Sequence, residues 1–135
     1  MRRLALVVAL SWWVAGCQSQ QLDEAALREK ESALNKLAAS LESAVRFQDA
    51  PESMTEEQLK AFAVKEDPAL LDPFKELLVR VRRQARYSSV LVCTADGTRA
   101  LWEDAGCTPP LDLRLWDRQP PAACAFQLDL ARACN

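Results

Sequence analysis

The side chains with the most distinctive chemistry in this sequence are its five cysteines, and four of them lie in the last third of the 135-residue chain. Those four are Cys93, Cys107, Cys124 and Cys134. An even number of thiols in a small domain predicts disulfide bonds if the compartment is oxidising. A four-thiolate zinc site is disfavoured, because such sites contain cysteine pairs separated by roughly two to four residues. We therefore predict two disulfides and favour Cys93 with Cys107 and Cys124 with Cys134, since short loops close most easily.

The remaining side chains offer little catalytic chemistry. The sequence contains no histidine, which removes the usual general base, the usual partner of a nucleophilic serine and the usual zinc ligand. Glu103 and Asp104 are adjacent carboxylates, but neighbours on a strand point to opposite faces and make a poor acid–base pair. Ser88 and Ser89 lack the G-x-S-x-G context of a nucleophile, and no phosphate-binding glycine loop is present. The sequence favours a non-catalytic protein with no cofactor and no bound metal.

The fifth cysteine ends a leader-like segment. Arg2 and Arg3 provide a positive start, and residues 4–14 form an apolar stretch that is shorter than the roughly 20 residues needed to cross a bilayer. The tetrapeptide Val14-Ala15-Gly16-Cys17 that follows resembles the lipobox of bacterial lipoprotein precursors. The resemblance implies cleavage before Cys17 and acylation of its thiol, which would hold the chain on a membrane. An ordinary secretory signal that releases a soluble periplasmic protein is the alternative.

The residue after the cysteine bears on location. In that family an aspartate at this position favours retention in the inner membrane, and here Gln18 occupies it. The resemblance therefore implies lipid anchoring in the outer membrane, facing the periplasm, with the inner membrane or the cell surface as alternatives. Without the two leader arginines, 15 of the 17 basic residues remain against 19 acidic ones, a formal net charge of −4. This mild acidity argues against nucleic-acid binding.

After a short tether at residues 17–21, the apolar residues recur with helical spacing. Leu27, Leu34 and Leu41 lie seven residues apart in a stretch without glycine or proline, which predicts a long amphipathic helix over residues 22–48. This stripe either packs on the chain's own domain or pairs with a partner helix in a coiled coil.

Two more helices are predicted. Thr55 and Gln58 have the spacing of a capping box, so the second helix begins at Thr55. The third begins at Asp67-Pro68 or Asp72-Pro73, where an N-cap residue precedes a proline, and runs to about Arg86.

The end of the predicted third helix is basic, with Arg80, Arg82, Arg83 and Arg86. These arginines could bind lipopolysaccharide phosphates, anionic lipid or an acidic partner, because guanidinium groups match such anions bidentately. Alternatively, they complement the helix dipole and the chain's own acids. Trp102 and Trp116 could join them in an interaction surface or pack in the core.

The second half of the chain changes to strand-like patterns. Residues 88–93 and 98–102 predict two strands of a hairpin, joined by a turn at Gly97. Residues 111–116 predict a short helix, and the alternation of Phe126, Leu128 and Leu130 predicts a last strand. The fold class is therefore α+β: N-terminal helices followed by a small disulfide-stapled antiparallel sheet, with residues 49–135 as a small α+β domain.

These patterns predict a non-catalytic cell-envelope lipoprotein that acts as an interaction or assembly module. Its partners would be the membrane, through lipid on Cys17, and another envelope protein. Size, anchor and disulfides are similar to those of pilotins, the lipoproteins that escort secretins to the outer membrane. A cell-wall hydrolase, or an inhibitor of one, is the alternative from a different functional class.

Overall fold

The computed structural model describes residues 23–135, so the predictions for the leader, for Cys17 and for the tether lie outside the described residues. The α+β prediction is confirmed, because helices precede a four-stranded antiparallel sheet. The elements are α1 (Glu24–Phe47), α2 (Glu56–Ala63), a 3₁₀ helix (Pro68–Phe74), β1 (Leu77–Gln84), β2 (Tyr87–Thr94), β3 (Ala100–Ala105), β4 (Leu113–Arg114) and α3 (Leu130–Ala133). None of the helices in residues 23–135 combines the length and apolar character that crossing a membrane requires.

Helix α1 covers one face of the sheet. Asp23 caps its first turn by accepting a hydrogen bond from the Ala25 amide at 3.1 Å. The leucine stripe is buried in a core that also contains Val90 and Val92 of β2 and Trp102 of β3. The stripe therefore packs on the chain's own domain, as one of the two interpretations of its spacing predicted.

The predicted third helix is wrong beyond Phe74. The 3₁₀ helix ends there, and β1 pairs with β2 from Leu77 to Gln84 across a two-residue turn in which Ala85 has φ 55°. The spacing of Leu77, Leu78 and Val81 is compatible with a helix, but residues 79–82 also alternate valine with arginine. Pairing with β2 favours the strand over the helix. In the strand, both valines point toward α1 and are buried.

The C-terminal third also differs from the prediction. The hairpin of β2 and β3 is confirmed, but residues 111–116 contain the short strand β4 rather than a helix. The predicted last strand is absent from the described chain, where residues 124–129 are irregular and α3 follows. This segment lies across the sheet face opposite α1, and Phe126 and Cys124 pack there against Leu91 and Leu115. Its alternating apolar residues therefore contact a sheet face instead of joining a sheet edge.

Two disulfides hold this segment in place, but their predicted pairing is wrong. The bonds join Cys93 to Cys124 and Cys107 to Cys134, with sequence separations of 31 and 27 residues. The preference for short loops was too weak to decide the pairing. Closing a loop of 31 rather than 14 residues costs only about 0.7 kcal/mol more. The path of the C-terminal segment over the sheet therefore determines which sulfurs meet.

The close approach of α1 to the end of β3 depends on Gly106. A Cβ atom at this position would lie 2.4 Å from the Glu42 Cβ and 2.5 Å from the Ala38 carbonyl oxygen. We expect Gly106→Ala to lower the free energy of unfolding by about 3 kcal/mol, because the helix backbone must move away. Urea denaturation measures the change. Gly97→Ala is the control, since its Cβ meets nothing closer than 3.5 Å and the φ of 71° alone costs about 1 kcal/mol. An equal or smaller loss for Gly106→Ala would contradict the packing argument.

Candidate interaction surface

The two tryptophans are core residues, so the structure agrees with the core interpretation and not with the alternative of an interaction surface. Trp102 is fully buried, and Trp116 is 5% exposed. Trp102 lies on the sheet face that α1 covers, and the Trp116 ring lies beneath the guanidinium groups of Arg28 and Arg114. Neither ring is available to a partner in this structure.

The arginine cluster lies on β1 and the following turn rather than on a helix, and strand alternation divides it. Arg80 and Arg82 lie on the face opposite α1, with their guanidinium groups 5.2 and 4.7 Å from the centre of the Phe126 ring. Arg83 points toward the end of α1, where its Nη1 donates to the Ala50 carbonyl at 2.5 Å. Arg86 is exposed in the turn and donates to the Tyr87 hydroxyl at 3.3 Å. The four arginines therefore have different roles.

Arg82 belongs to a buried polar network that attaches the C-terminal segment to the sheet. Its Nη2 donates to the Leu128 carbonyl at 2.8 Å and lies 3.4 Å from a carboxylate oxygen of Glu103. Glu103 is fully buried and accepts hydrogen bonds from the backbone amides of Gln127 at 2.6 Å and Leu128 at 3.1 Å. Sequence reasoning noticed Glu103 only as half of an unsuitable catalytic pair. Its structural role depends on residues more than twenty positions away.

Glu103→Gln tests this network. The amide keeps the shape but loses the charge, and its NH₂ group faces donors where the carboxylate accepted hydrogen bonds. We expect the free energy of unfolding to fall by about 3 kcal/mol, the low end for breaking a buried ion pair, because Arg82 is partly exposed. Chemical denaturation at neutral pH measures the loss. Glu66→Gln, at an exposed position, serves as the control and should change stability little. Equal stability of the two variants would show that Glu103 does not hold the segment.

Asp104 lies on the other face of β3, as strand alternation predicted. It is 1% exposed, and its Oδ1 accepts from the Asp112 backbone amide at 3.2 Å. The Asp112 carboxylate accepts from the Ala105 amide at 2.9 Å and from the Thr108 hydroxyl at 2.6 Å. Burial, and then the neighbouring Asp112 carboxylate, raise the pKa of Asp104 to about 8. Asp104 is therefore protonated at neutral pH, and its burial leaves no approach for a substrate.

The exposed feature beside the arginines is the outer edge of β1. Helix α2 covers the first half of this edge with two side chains. Glu56 accepts from the Val81 amide at 3.1 Å, and the Lys60 ammonium donates to the Val79 carbonyl at 3.1 Å. The capping box of Thr55 and Gln58 is formed as predicted and fixes where α2 begins. These contacts protect half of a strand edge that would otherwise be open to pairing.

The second half of the edge borders a groove of about 390 Å³. Its apolar wall contains Pro51, Met54 and Leu59, and β1 and its turn contribute Val81, Arg83 and Ala85. Glu52 is exposed over 84% of its side chain and lies 3.8 Å from Arg83, so the groove has charges of both signs at its rim. Sequence reasoning missed this groove because it assigned β1 to a helix. The alternation of valine and arginine in residues 79–82 was the available signal.

Among residues 23–135, no three or more cysteine, aspartate or glutamate side chains form a group that could hold a metal ion. Comparison with protein-family models, with curated proteins and with solved structures finds no match to this chain.

Proposed function

We propose that the protein is a non-catalytic lipoprotein of the cell envelope whose α+β domain binds another envelope protein. The observation that carries this proposal is the groove beside the half-covered edge of β1, which combines exposed backbone, apolar wall and arginine side chains at one place. Binding in such a groove needs no chemistry from the chain. The burial of Glu103 and Asp104 supports a non-catalytic role, because neither carboxylate can reach a substrate.

The location rests on the leader and on the cysteines. The lipobox-like tetrapeptide before Cys17 supports lipid anchoring, and Gln18 after it supports the outer membrane. Two disulfides are typical of small domains that fold in an oxidising compartment such as the periplasm. The anchor would hold the domain beside its partner and raise the effective concentration of each for the other.

Crosslinking in intact cells, followed by mass spectrometry of the purified lipoprotein, tests the proposal. The wild-type chain is compared with Cys17→Ala, which removes the lipidated thiol, and with Arg86→Glu, which reverses an exposed charge next to the groove. Arg82 is unsuitable for charge reversal because a carboxylate there would face buried Glu103. Lys36→Glu is the control, since Lys36 is exposed on α1 away from β1.

We expect one envelope protein to crosslink to the wild type and to Lys36→Glu, and its yield to fall with Cys17→Ala and with Arg86→Glu. If only lipid and cell-wall fragments are recovered with the wild type, the interaction proposal is wrong, and binding or hydrolysis of the cell wall becomes the hypothesis to test. An equal yield from Arg86→Glu and Lys36→Glu would place the interface away from the groove.

A further inference from the structure

We propose that the free half of the β1 edge binds an extended segment of the partner as an added strand, and that this segment alternates acidic and apolar residues. The inference rests on the proposed function and specifies how the partner is recognised. Strand addition is a common mode of peptide recognition, in which backbone hydrogen bonds supply affinity and alternate side chains supply specificity.

The pairing of β1 with β2 determines which backbone groups of β1 face its outer edge. The β1–β2 hairpin closes through Gln84 and Tyr87, so even-numbered residues of β1 bond to β2 and odd-numbered ones face outward. The contacts of α2 agree, because Lys60 and Glu56 bind the outward groups of Val79 and Val81. The outward groups that follow are the Val81 carbonyl and the amide and carbonyl of Arg83. No side chain or loop within residues 23–135 forms a hydrogen bond to them.

The arginines along β1 limit which strands can pair with this edge. A second copy of the chain would pair about a two-fold axis, which places Arg82 opposite Arg82 or Arg83 opposite Arg83. Like charges directly opposite each other destabilise a strand pair. Opposite charges stabilise it, and Arg86 at the end of the edge has no carboxylate within 4 Å among the described residues. The edge therefore favours an acidic strand from a different protein over self-pairing.

The two faces of β1 predict the pattern of that strand. On the face opposite α1, Arg80 and Arg82 border the edge. Arg80 is paired with Glu56 of α2 at 3.3 Å and Arg82 with Glu103 at 3.4 Å, but 36% and 27% of their side chains remain exposed to a further acidic group. On the other face, Met54, Leu59 and Pro51 form the apolar wall of the groove. Successive side chains of a strand point to opposite faces, so acidic residues would meet the arginines and apolar residues would enter the groove.

Fluorescence anisotropy with short labelled peptides and the purified full-length protein in detergent tests the inference. The probe is an acetylated seven-residue peptide of alternating glutamate and valine, compared with one of alternating lysine and valine. Two further acidic peptides carry N-methyl groups either on every glutamate amide or on every valine amide. Only one of these two sets of amides faces β1 in an added strand, so each peptide serves as the control for the other.

The matched protein variants are Arg83→Pro and Arg83→Ala. Both lose the guanidinium group, but only proline also removes the outward amide, and an edge position tolerates proline because its amide does not bond within the sheet. We expect Arg83→Pro to bind the acidic peptide roughly three- to tenfold more weakly than Arg83→Ala, the effect of losing one backbone hydrogen bond. We also expect one N-methylated peptide, and the lysine peptide, to lose binding.

Equal affinity of folded Arg83→Pro and Arg83→Ala would overturn strand addition. Strand addition would also be overturned if the N-methylated peptides and the lysine peptide all bound as tightly as the unmodified acidic peptide. The same holds if the acidic peptide did not bind at millimolar concentration. If circular dichroism shows that Arg83→Pro is unfolded, the N-methylated peptides decide the question with the wild-type protein. In the cellular crosslinking experiment, a partner captured equally by Arg83→Pro and Arg83→Ala would contradict strand addition and leave the interaction module intact. Absence of any partner with the wild type would instead contradict the proposed function.

Discussion

We expect replacement of Cys93 and Cys124 with alanine to lower the free energy of unfolding by about 3.5 kcal/mol, and replacement of Cys107 and Cys134 to have a similar effect. The bonds close loops of 31 and 27 residues. Each loop lowers the conformational entropy of the unfolded chain and thereby raises the free energy of the unfolded state by about 3.5 kcal/mol. Alanine is preferred to serine because Cys93 is fully buried and a hydroxyl there would lack partners. Urea denaturation of the oxidised variants measures the loss.

Removing both bonds should also loosen the C-terminal segment, in addition to lowering the stability of the domain. The C-terminal segment would then be held on the sheet by the Glu103 network, by its apolar contacts with Leu91 and Leu115, and by the hydrogen bond from the Ala100 amide to the Ala122 carbonyl at 2.9 Å. We expect faster amide exchange in Leu91 of β2 and in residues 122–130, with α1 still protected. Reduction of the wild type with dithiothreitol should reproduce the unfolding midpoint of the four-alanine variant. A reduced wild type as stable as the oxidised form would contradict the assignment of these bonds as the main restraint on the segment.

The pH dependence of stability should show the protonation of Asp104. Its pKa is about 8 in the folded protein against an ordinary value of 3.8 in the unfolded chain. Between these values the folded protein keeps a proton that the unfolded chain has lost, so stability falls as pH rises. The slope reaches about 1.4 kcal/mol per pH unit. The contribution is complete below about pH 4 and is lost as the pH rises through about 8.

Asp104→Asn should remove this slope, because the amide resembles the protonated acid. Its oxygen can accept from the Asp112 amide, and its NH₂ group can donate to the Asp112 carboxylate. We expect the variant to approach the wild type in stability near pH 4 and to exceed it by roughly 5 kcal/mol at pH 8, the sum of this slope over about four pH units. Asp117→Asn, at an exposed position, is the control and should keep the wild-type slope. Parallel stability curves for Asp104→Asn and the wild type would show that Asp104 ionises normally.

The elements that were predicted correctly depend on patterns contained within a single segment of the chain. The leucine stripe of α1 is buried as its period predicted, and Thr55 and Gln58 exchange both capping hydrogen bonds. The β2–β3 turn contains Gly97 with φ 71°. In each case the physical cause, a helical period or a side chain that caps its own backbone, is complete within the segment.

The errors concern residues whose conformation depends on distant partners. β1 has apolar spacing that suits both a helix and a strand, and only pairing with β2 decides between them. The cysteines near the C-terminus pair with Cys93 and Cys107 because the last segment crosses the sheet, which loop length alone does not predict. Trp102 and Trp116 are buried for the same reason, since α1 and the loops close over them.

The sequence by itself therefore determined the α+β class, the long helix, the β2–β3 hairpin and the presence of disulfides. It also contains the leader-like segment from which membrane anchoring at Cys17 is predicted. Tertiary structure alone decided the pairing of the sulfurs, the burial of Glu103 and Asp104, and the groove at the edge of β1. Each of these depends on contacts between residues that are far apart in the chain, whose energies exist only once helix, sheet and C-terminal segment have packed together.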